Sequence, residues 1–505
     1  MRLTTWLRSA RSLFVPNGTA NGHPTRLPKR APSTRLSVEH LEDRTVPSTF
    51  TVRTLADSGT GSLRVAIAAA NTNPGADVIA FAHGLRGTVA LTSGELGITD
   101  DLRIDGPGAG RLAVSGSDVS RVFRIGSGVA ASIDDLTVTH GHGLLRGGGI
   151  LNAGTLTLSH AVVSDNVVVG LPGAGMASDA MGGGILNNGT LTVRDTTFVH
   201  NRSVGGDGIV GSPGSTALGG AIMSVGTPTV PATATVSYST FLDNEAVGGA
   251  IGAGPFSRSG LGGAIMNAAG TTTVSHSYFN GNRAVGGAGG GFVGGVGAGG
   301  AIANIALLGN ATISVSHSTL VNNQAIGGAA APGTAPQAGK GGGIANFVAG
   351  VASLPVSVTA TATVTDSILF GNRAIGGAGL TGGNGQGGGI TNENGGILTV
   401  TNSLILLNEA VGGAGAVGNG GNGLGGGIFN GAPNPFGVPH LTLDSSIVAL
   451  NRAVGGAAGT GGSAGLGLGG GLYLAPGGVA SADPWTFIFA NDASTSNDDV
   501  FGILV

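Results

Sequence analysis

The strongest constraint on the fold is a phrase that recurs along the chain. GGGILNNGTLTVRDTTFVHNRSVGG, residues 182–206, returns about eight times with small changes. Each copy contains a short apolar run typical of a strand, an asparagine and a glycine pair. A unit this thin cannot enclose a core, so each copy must bury its aliphatic side chains against the next copy. The sequence therefore predicts a stack of rungs.

Composition supports this prediction. Of 505 residues, 101 are glycine and only 4% are aromatic, which excludes an ordinary aromatic-rich core. The 41% hydrophobic content, mostly aliphatic, excludes a disordered polar chain. Because the chain has no cysteine, disulfides, thiolate metal sites and cysteine nucleophiles are excluded as well. We predict no transmembrane helix, because no apolar run of about eighteen residues is free of breakers.

Charge separates the amino-terminal segment from the rest. Residues 1–47 carry eight basic and three acidic residues, and the remainder carries 15 basic and 23 acidic residues. The acidic excess of the body argues against a track for nucleic-acid phosphates. We therefore expect no nucleic-acid partner.

The copies align on an asparagine near the end of each apolar run. The residue three positions earlier is apolar in every copy, as an inward-facing stack requires. The residue after the asparagine alternates in sign, as at Arg202, Glu245 and Arg283, which indicates that neighbouring copies lie in register. We expect the asparagine amides to form a ladder inside a turn, each bonding to the next rung about 4.8 Å away. The ladder consists of Asn166, Asn201, Asn244, Asn282, Asn323, Asn372, Asn408 and Asn451.

A Thr-x-Thr pattern precedes the asparagine in most copies. In a strand both threonines point outward while the residues that flank them point inward. The resulting array is a possible contact face for a regular polymer or for ice, although threonine also suits the outer face of any strand. Its first four pairs are Thr155 with Thr157, Thr190 with Thr192, Thr233 with Thr235, and Thr271 with Thr273.

A helix is predicted before the first strands. Leu63, Ala66, Ile67 and Ala70 have helical spacing, Ser62 is the expected N-cap, and a Pro-Gly pair at 74–75 ends the pattern. A short amphipathic helix over the first rung would cover its apolar end and block edge pairing.

Three motifs resemble known bacterial elements. Gly-Gly-Ala-Ile and Gly-Gly-Gly-Ile, as at 219–222 and 182–185, resemble the right-handed parallel β-helix repeats of surface proteins, including chlamydial polymorphic outer-membrane-protein-like repeats. SLRVAI at 62–67 resembles the Ser-Leu-Arg-Glu-Ala-Ile start element of many such proteins, with Val65 in place of the Glu. LSVEHLEDRTVPS at 36–48 resembles an export-associated element of planctomycete bacteria. These resemblances imply a parallel β-helix and an extracellular or cell-surface location.

The predicted fold is all-β: a single right-handed parallel β-helix with a short amino-terminal capping helix and stacked glycine-rich loops. We expect residues 1–48 to be a basic, largely disordered export segment. Residues 49–145 would hold the cap and first coils, and residues 146–505 the glycine-rich repeats and the terminal coil.

An enzymatic alternative rests on IDDLTVTHGHG, residues 133–143. Parallel β-helix enzymes that cleave polysaccharides use carboxylates converging on one face. Asp134, Asp135 and His140 are the closest candidates, but the Asp-Asp and His-Gly pieces of polygalacturonase-like enzymes should lie on neighbouring coils, about twenty residues apart. We predict no cofactor and no metal site.

Three hypotheses follow. The first is an exported or cell-surface, non-catalytic structural or adhesive protein that contacts polysaccharide or other cell-envelope components. The second is a polysaccharide lyase or hydrolase, and the third an ice- or crystal-binding threonine face. The sequence leaves the oligomeric state open.

Overall fold

The computed structural model of the chain describes residues 47–173, 177–209, 212–250, 258–289, 295–307, 309–330, 336–349 and 358–504. The predicted export segment, residues 1–48, lies outside the described residues except for its last two positions. Thr45–Val505 forms one compact unit. A subdivision of this unit at residue 145 stays a prediction.

The chain winds through five parallel sheets, A to E, and each turn adds one strand to most of them. One turn runs through sheets C, A, B and D, continues into a glycine-rich loop and sheet E, and returns to sheet C one rung further on. Neighbouring strands pair in parallel, as in Thr155–Ser159 with Thr190–Arg194. The fold is a right-handed parallel β-helix, as predicted.

Sheet A is the widest face and has 13 strands. Side chains alternate along its strands, so that Leu191 and Val193 are buried while Thr190 and Thr192 face outward. Its strands are Thr49–Val52, Asp77–Phe81, Leu102–Asp105, Ala130–Asp134, Thr155–Ser159, Thr190–Arg194, Ala232–Ser237, Gly270–Ser275, Ala311–Ser316, Ala360–Thr365, Ile397–Thr401, His440–Asp444 and Val479–Ala482.

Sheets B and C each have 12 strands and close the interior with sheet A. The strands of sheet B are Gly87–Ala90, Leu112–Ser115, Thr137–Thr139, Val162–Ser164, Thr197–Val199, Thr240–Leu242, Tyr278–Asn280, Thr319–Val321, Ile368–Phe370, Leu404–Leu406, Ile447–Ala449 and Phe487–Phe489. Those of sheet C are Leu96–Ile98, Phe123–Ile125, Ile150–Asn152, Ile185–Asn187, Ile222–Val225, Ile265–Ala268, Ile302–Ala306, Ile344–Val348, Ile390–Glu393, Ile428–Asn430, Leu472–Leu474 and Val500–Phe501.

Sheets D and E, with 10 and 8 strands, flank the glycine-rich loops. The strands of sheet D are His142–Leu144, Val167–Val169, Arg202–Val204, Glu245–Val247, Arg283–Val285, Gln324–Ile326, Arg373–Ile375, Glu409–Val411, Arg452–Val454 and Asp492–Ala493. Those of sheet E are Ala180–Met181, Ala217–Leu218, Gly260–Leu261, Gly297–Ala298, Gly339–Lys340, Gly385–Gln386, Gly423–Leu424 and Gly467–Leu468.

The interior is a stack of similar layers, each with an apolar side chain at the same inward positions. Phe198, Phe241 and Phe279 are fully buried and stack with ring centroids 4.8 and 4.5 Å apart. They belong to the apolar column that the alignment predicts three residues before each asparagine. Because every rung repeats the same contacts, a few aliphatic and aromatic side chains per turn suffice for a continuous core.

Glycine residues allow the loops and sheets D and E to lie close to one another. A Cβ on Gly260 would lie 2.3 Å from the carbonyl oxygen of Ala246, so a side chain there would force the backbone of the two strands apart. Gly219, three residues before the sheet C strand Ile222–Val225, has φ +62°, a left-handed conformation that favours glycine. The loops stack through backbone hydrogen bonds, such as Gly249 N–H to Ser215 O at 3.0 Å. The predicted stacking of the glycine-rich loops is confirmed.

The capping helix spans Leu63–Ala70, and the Ser62 hydroxyl accepts a hydrogen bond from the Val65 N–H at 3.3 Å. The helix and its N-cap are therefore confirmed. It ends before the Pro-Gly pair because Asn71 donates to Gly97 O at 2.8 Å and accepts from Thr99 N–H at 2.9 Å. These bonds tie the last turn to sheet C.

Candidate functional surfaces

The outer face of sheet A, here called the hydroxyl face, carries three columns of side chains. The register pairs Thr190 with Thr233 and Thr192 with Thr235, and the Thr233 hydroxyl donates to that of Thr190 at 3.2 Å. Strands lie about 4.8 Å apart and alternate residues about 6.6 Å apart, so the hydroxyls form a regular lattice. The eight predicted contact residues, Thr155, Thr157, Thr190, Thr192, Thr233, Thr235, Thr271 and Thr273, all belong to the first two columns.

The third column of the hydroxyl face is missing from the sequence prediction. Ser237 pairs with Ser275, Ser275 with Ser316, and Ser316 with Thr365. The signal was available, because a serine or threonine follows two residues after the second position of the Thr-x-Thr pattern in these copies. The lattice is therefore three hydroxyls wide in its central rungs.

The weak catalytic candidates lie at two different corners. Asp134 ends a strand of sheet A and Asp135 begins the corner to sheet B, whereas His140 follows the sheet B strand Thr137–Thr139. Five extended residues span about 16 Å, so His140 is separated from Asp135 by the width of sheet B. Asp134 accepts hydrogen bonds from the hydroxyls of Ser132 and Ser159. The geometry assembles no carboxylate pair with His140.

The corner between sheets A and B carries a column of exposed polar side chains in a left-handed conformation. His160 lies between Asp134 and Asp195, with nitrogen–oxygen distances of 3.9 and 3.8 Å. Further along, Tyr238 stacks on His276 at 4.8 Å between ring centroids. The common backbone has φ of 47–50°, which Asp, Asn and His tolerate better than most residues. The left-handed backbone conformation is therefore enough to explain why this column carries such residues.

The aligned asparagines form one continuous buried ladder. Asn201 donates from Nδ2 to Asn244 Oδ1 at 2.9 Å and to the carbonyl of Val163 at 2.8 Å. Its own oxygen accepts from the backbone N–H of Asn166 at 3.3 Å. The same pattern continues to Asn491. The ladder provides hydrogen-bond partners for the buried polar groups at the corner between sheets B and D, which is a structural role.

A second ladder of asparagine side chains lies in sheet C and was not predicted from the sequence. Asn304 donates from Nδ2 to Asn346 Oδ1 at 2.8 Å, and Asn346 does the same to Asn392 at 2.8 Å. These residues lie in strands of sheet C, two positions after the isoleucine of the Gly-Gly-x-Ile phrase. That fixed spacing is the signal that could have identified the ladder. Its asparagines are Asn152, Asn187, Asn267, Asn304, Asn346, Asn392 and Asn430, and Ser224 takes this position in the rung between Asn187 and Asn267.

Sheet D carries the alternating charges on its outer face. Glu245 Oε2 lies 3.1 Å from Arg202 Nε, and its Oε1 lies 3.1 Å from Arg283 Nη1. Glu409 bridges Arg373 and Arg452 in the same way, at 2.8 and 3.6 Å. The predicted register of this column is confirmed.

An apolar groove lies between sheet E and the outer face of sheet C. Its volume is about 240 Å³, and Met223, Met266 and Leu261 line it. Asp179 lies at one end, where burial raises the pKa of its carboxyl to about 6 against the opposing effects of the Thr216 N–H and the charge of Arg146. Lys340 lies at the other end. The groove is a small apolar site with charged ends.

The part of the chain that the structure describes contains neither a membrane-spanning helix nor a cluster of metal ligands. None of its helices is long and apolar enough to cross a membrane. Nor do its histidines and carboxylates form a group of three that could hold a metal ion.

The strand register and these surfaces define a parallel β-helix protein with a hydroxyl face, a charged face and an apolar groove. No protein-family model and no curated protein matches the chain. Solved structures similar to it include a mannuronic acid specific polysaccharide family 6 lyase from human gut microbiota, with 10% identity over 79% of this chain and 87% of that chain and a TM-score of 0.29.

Two further structures show the same level of similarity. The catalytic unit of a GH87 alpha-1,3-glucanase from Streptomyces thermodiastaticus has 14% identity over 82% of this chain and 68% of that chain, with a TM-score of 0.33. PfbA, a surface adhesin of Streptococcus pneumoniae, has 10% identity over 82% and 86%, with a TM-score of 0.21. The fold assignment rests on the strand register of this chain.

Proposed function

We propose that the chain is an exported or cell-surface, non-catalytic β-helix protein whose hydroxyl face contacts a polysaccharide or another regular polymer of the cell envelope. The observation that carries the proposal is the lattice itself. From Thr190–Arg194 to Ile397–Thr401, consecutive strands place a hydroxyl at the central outward position.

A repeated hydroxyl lattice suits a repeated partner. Each hydroxyl donates one hydrogen bond and accepts others, as sugar hydroxyls do. One such bond has little net value in water, so useful affinity requires many bonds formed together along the lattice. A polymer with a repeating unit satisfies this requirement, whereas a single small sugar does not.

The position of the catalytic candidates favours the non-catalytic reading. Asp134 is held by Ser132 and Ser159, and His140 lies at another corner. A carboxylate pair that flanks a glycosidic bond must converge within about 5–10 Å. Export rests on the resemblance of residues 36–48 to the planctomycete element.

The test is binding of the full chain to an array of cell-envelope polysaccharides, with released sugars measured in the same samples. Thr235→Lys places a long charged side chain in the centre of the lattice and is expected to reduce binding at least about tenfold. Thr240→Lys is the matched control, because Thr240 lies in the same rung on the outer face of sheet B. Equal binding by both variants contradicts the proposal.

Two other results would support the alternative functions. Release of unsaturated or reducing sugars, abolished by Asp135→Ala, would identify a polysaccharide lyase or hydrolase. Thermal hysteresis or ice shaping that disappears in Thr235→Lys would identify an ice-binding face.

A further inference from the structure

The outer face of sheet B becomes wholly apolar in its last four strands. Upstream, outward positions alternate between polar and apolar residues, as in Thr240 with Leu242. From Ile368–Phe370 onward no polar side chain remains, and the parallel register keeps the apolar residues in two straight columns. This apolar face consists of Ile368, Phe370, Leu404, Leu406, Ile447, Phe487 and Phe489, while Ala449 in the same columns is buried.

Two leucines extend the apolar face onto the next corner in an unfavourable backbone conformation. Leu407 and Leu450 have φ of 55° and 59°, yet these residues are 48% and 53% exposed. The same corner carries Asp243 and Asn322 upstream, residues that tolerate this conformation. A leucine here loses backbone stability and gains little burial within the chain, which is consistent with a side chain that packs against an external surface.

The apolar face is large enough for a stable interface. Trp485 is 70% exposed and Phe487 53% exposed at its carboxyl-terminal edge. With about 150–250 Å² for each aromatic side chain, the exposed apolar surface is on the order of 700 Å². The largest patch on a typical monomer is about 300–600 Å². A standard protein interface buries about 800 Å² on each partner, so this face approaches a full half-interface.

We propose that the apolar face binds the same face of a second copy of this chain, which forms a two-fold symmetric dimer. The outward positions of its four strands carry no charge, so the surface offers nothing to an acidic or basic partner. A sheet face without charge is complementary to itself, and two such faces pack about 10 Å apart. In this arrangement the hydroxyl faces of both copies remain exposed.

The experiment is sedimentation equilibrium of the full chain over a wide concentration range. Phe370→Arg buries a charge in the proposed interface and is expected to raise the dimer dissociation constant at least about a hundredfold. Thr363→Arg is the matched control, because Thr363 lies in the same rung on the hydroxyl face. Circular dichroism and thermal unfolding of both variants verify that the β-helix is intact.

Leu450→Asn separates an interface role from a role within the chain. Asparagine suits the left-handed backbone, so the dilute monomer should unfold at the same or a higher temperature while dimerisation weakens at least about tenfold. A lower unfolding temperature of the monomer would show that Leu450 packs within its own chain and contradict the proposal.

Two further outcomes overturn the dimer. The first is a monomer at every concentration. The second is a dimer that Phe370→Arg and Leu450→Asn leave unchanged. If the monomer cosediments with neutral phosphatidylcholine vesicles and Phe370→Arg abolishes this, the face binds lipid and the dimer is refuted.

Discussion

The side-chain amide of Asn244 donates a 2.9 Å hydrogen bond to the amide oxygen of Asn282, which lies 38 residues further along the chain. The same oxygen accepts from the backbone N–H of Asn244 at 3.0 Å. One side chain therefore satisfies two donors of the rung before it. The apolar core holds neighbouring rungs together but does not fix the geometry of their corners. This contact, repeated at each turn, fixes the corners.

Loss of one ladder side chain is expected to be costly. Asn282→Ala leaves the N–H and the amide of Asn244 and the carbonyl of Phe241 without their partner inside the corner. We expect a loss of about 3 kcal/mol in the free energy of unfolding, measured by urea denaturation. Asn280→Ala, at an outward position of the neighbouring strand, should change it by less than about 0.5 kcal/mol. Equal losses of unfolding free energy in the two variants would show that a ladder asparagine contributes no more than an outward-facing one.

The charge column of sheet D is interrupted by a neutral residue between two arginines. Gln324 lies between Arg283 and Arg373 in the register. Gln324→Glu should therefore stabilise the protein by about 0.3–1 kcal/mol at low ionic strength, with most of the gain lost in about 1 M salt. Glu245→Gln removes two ion pairs and should have the opposite sign. Salt-independent effects in thermal unfolding would refute the electrostatic explanation.

Arg258 is a buried cation within the stacked glycine loops. Its side chain is fully buried, and none of its nitrogens has a hydrogen-bond partner among the described residues. Burial lowers the pKa of its guanidinium. The backbone carbonyls of Ser215 in the previous rung and Gly295 in the next accept equivalent hydrogen bonds, so Arg258 replaces a small residue.

Arg258→Ser should therefore stabilise the protein, by on the order of 2 kcal/mol, because it removes the desolvation cost of an unpaired charge. The measurement is the midpoint of thermal unfolding. Arg202→Ser, which removes an exposed and ion-paired arginine, should lower that midpoint slightly. A destabilised Arg258→Ser variant would mean that the guanidinium has a favourable partner in solution.

Asp179 should make stability depend on pH. Its pKa is raised by burial from 3.8 to about 6, so the folded state holds a proton more tightly than the unfolded chain. Stability is then lost as the pH rises from about 4 to about 6, by at most about 3 kcal/mol. Asp179→Asn keeps an oxygen for the Thr216 N–H and should remove this loss.

The measurement is the urea midpoint of both proteins at acidic and neutral pH. Because other carboxylates contribute equally to both, the difference between the two profiles isolates Asp179. Asp118→Asn, at an exposed position, serves as the control and should reproduce the wild-type profile. Parallel profiles for the wild type and Asp179→Asn would contradict the prediction.

The sequence alone determined the rungs, their register and the composition of the core. These properties repeat in every copy, and each follows from local alternation of apolar and polar residues. The inward position of Phe241 and the alternation of Arg202, Glu245 and Arg283 could therefore be predicted without a structure. The export element, the adhesive function and the catalytic role of Asp134, Asp135 and His140 stay predictions.

Only the tertiary structure decided which side chains share a surface, because that depends on where the chain turns corners and how far each loop carries it. Asp134 and His140 are close in sequence and lie at different corners, whereas Asp134 and Ser159, 25 residues apart, are in contact. The apolar face of sheet B and the groove beside Asp179 likewise combine residues from several rungs. Winding, rather than any single motif, brings such residues together.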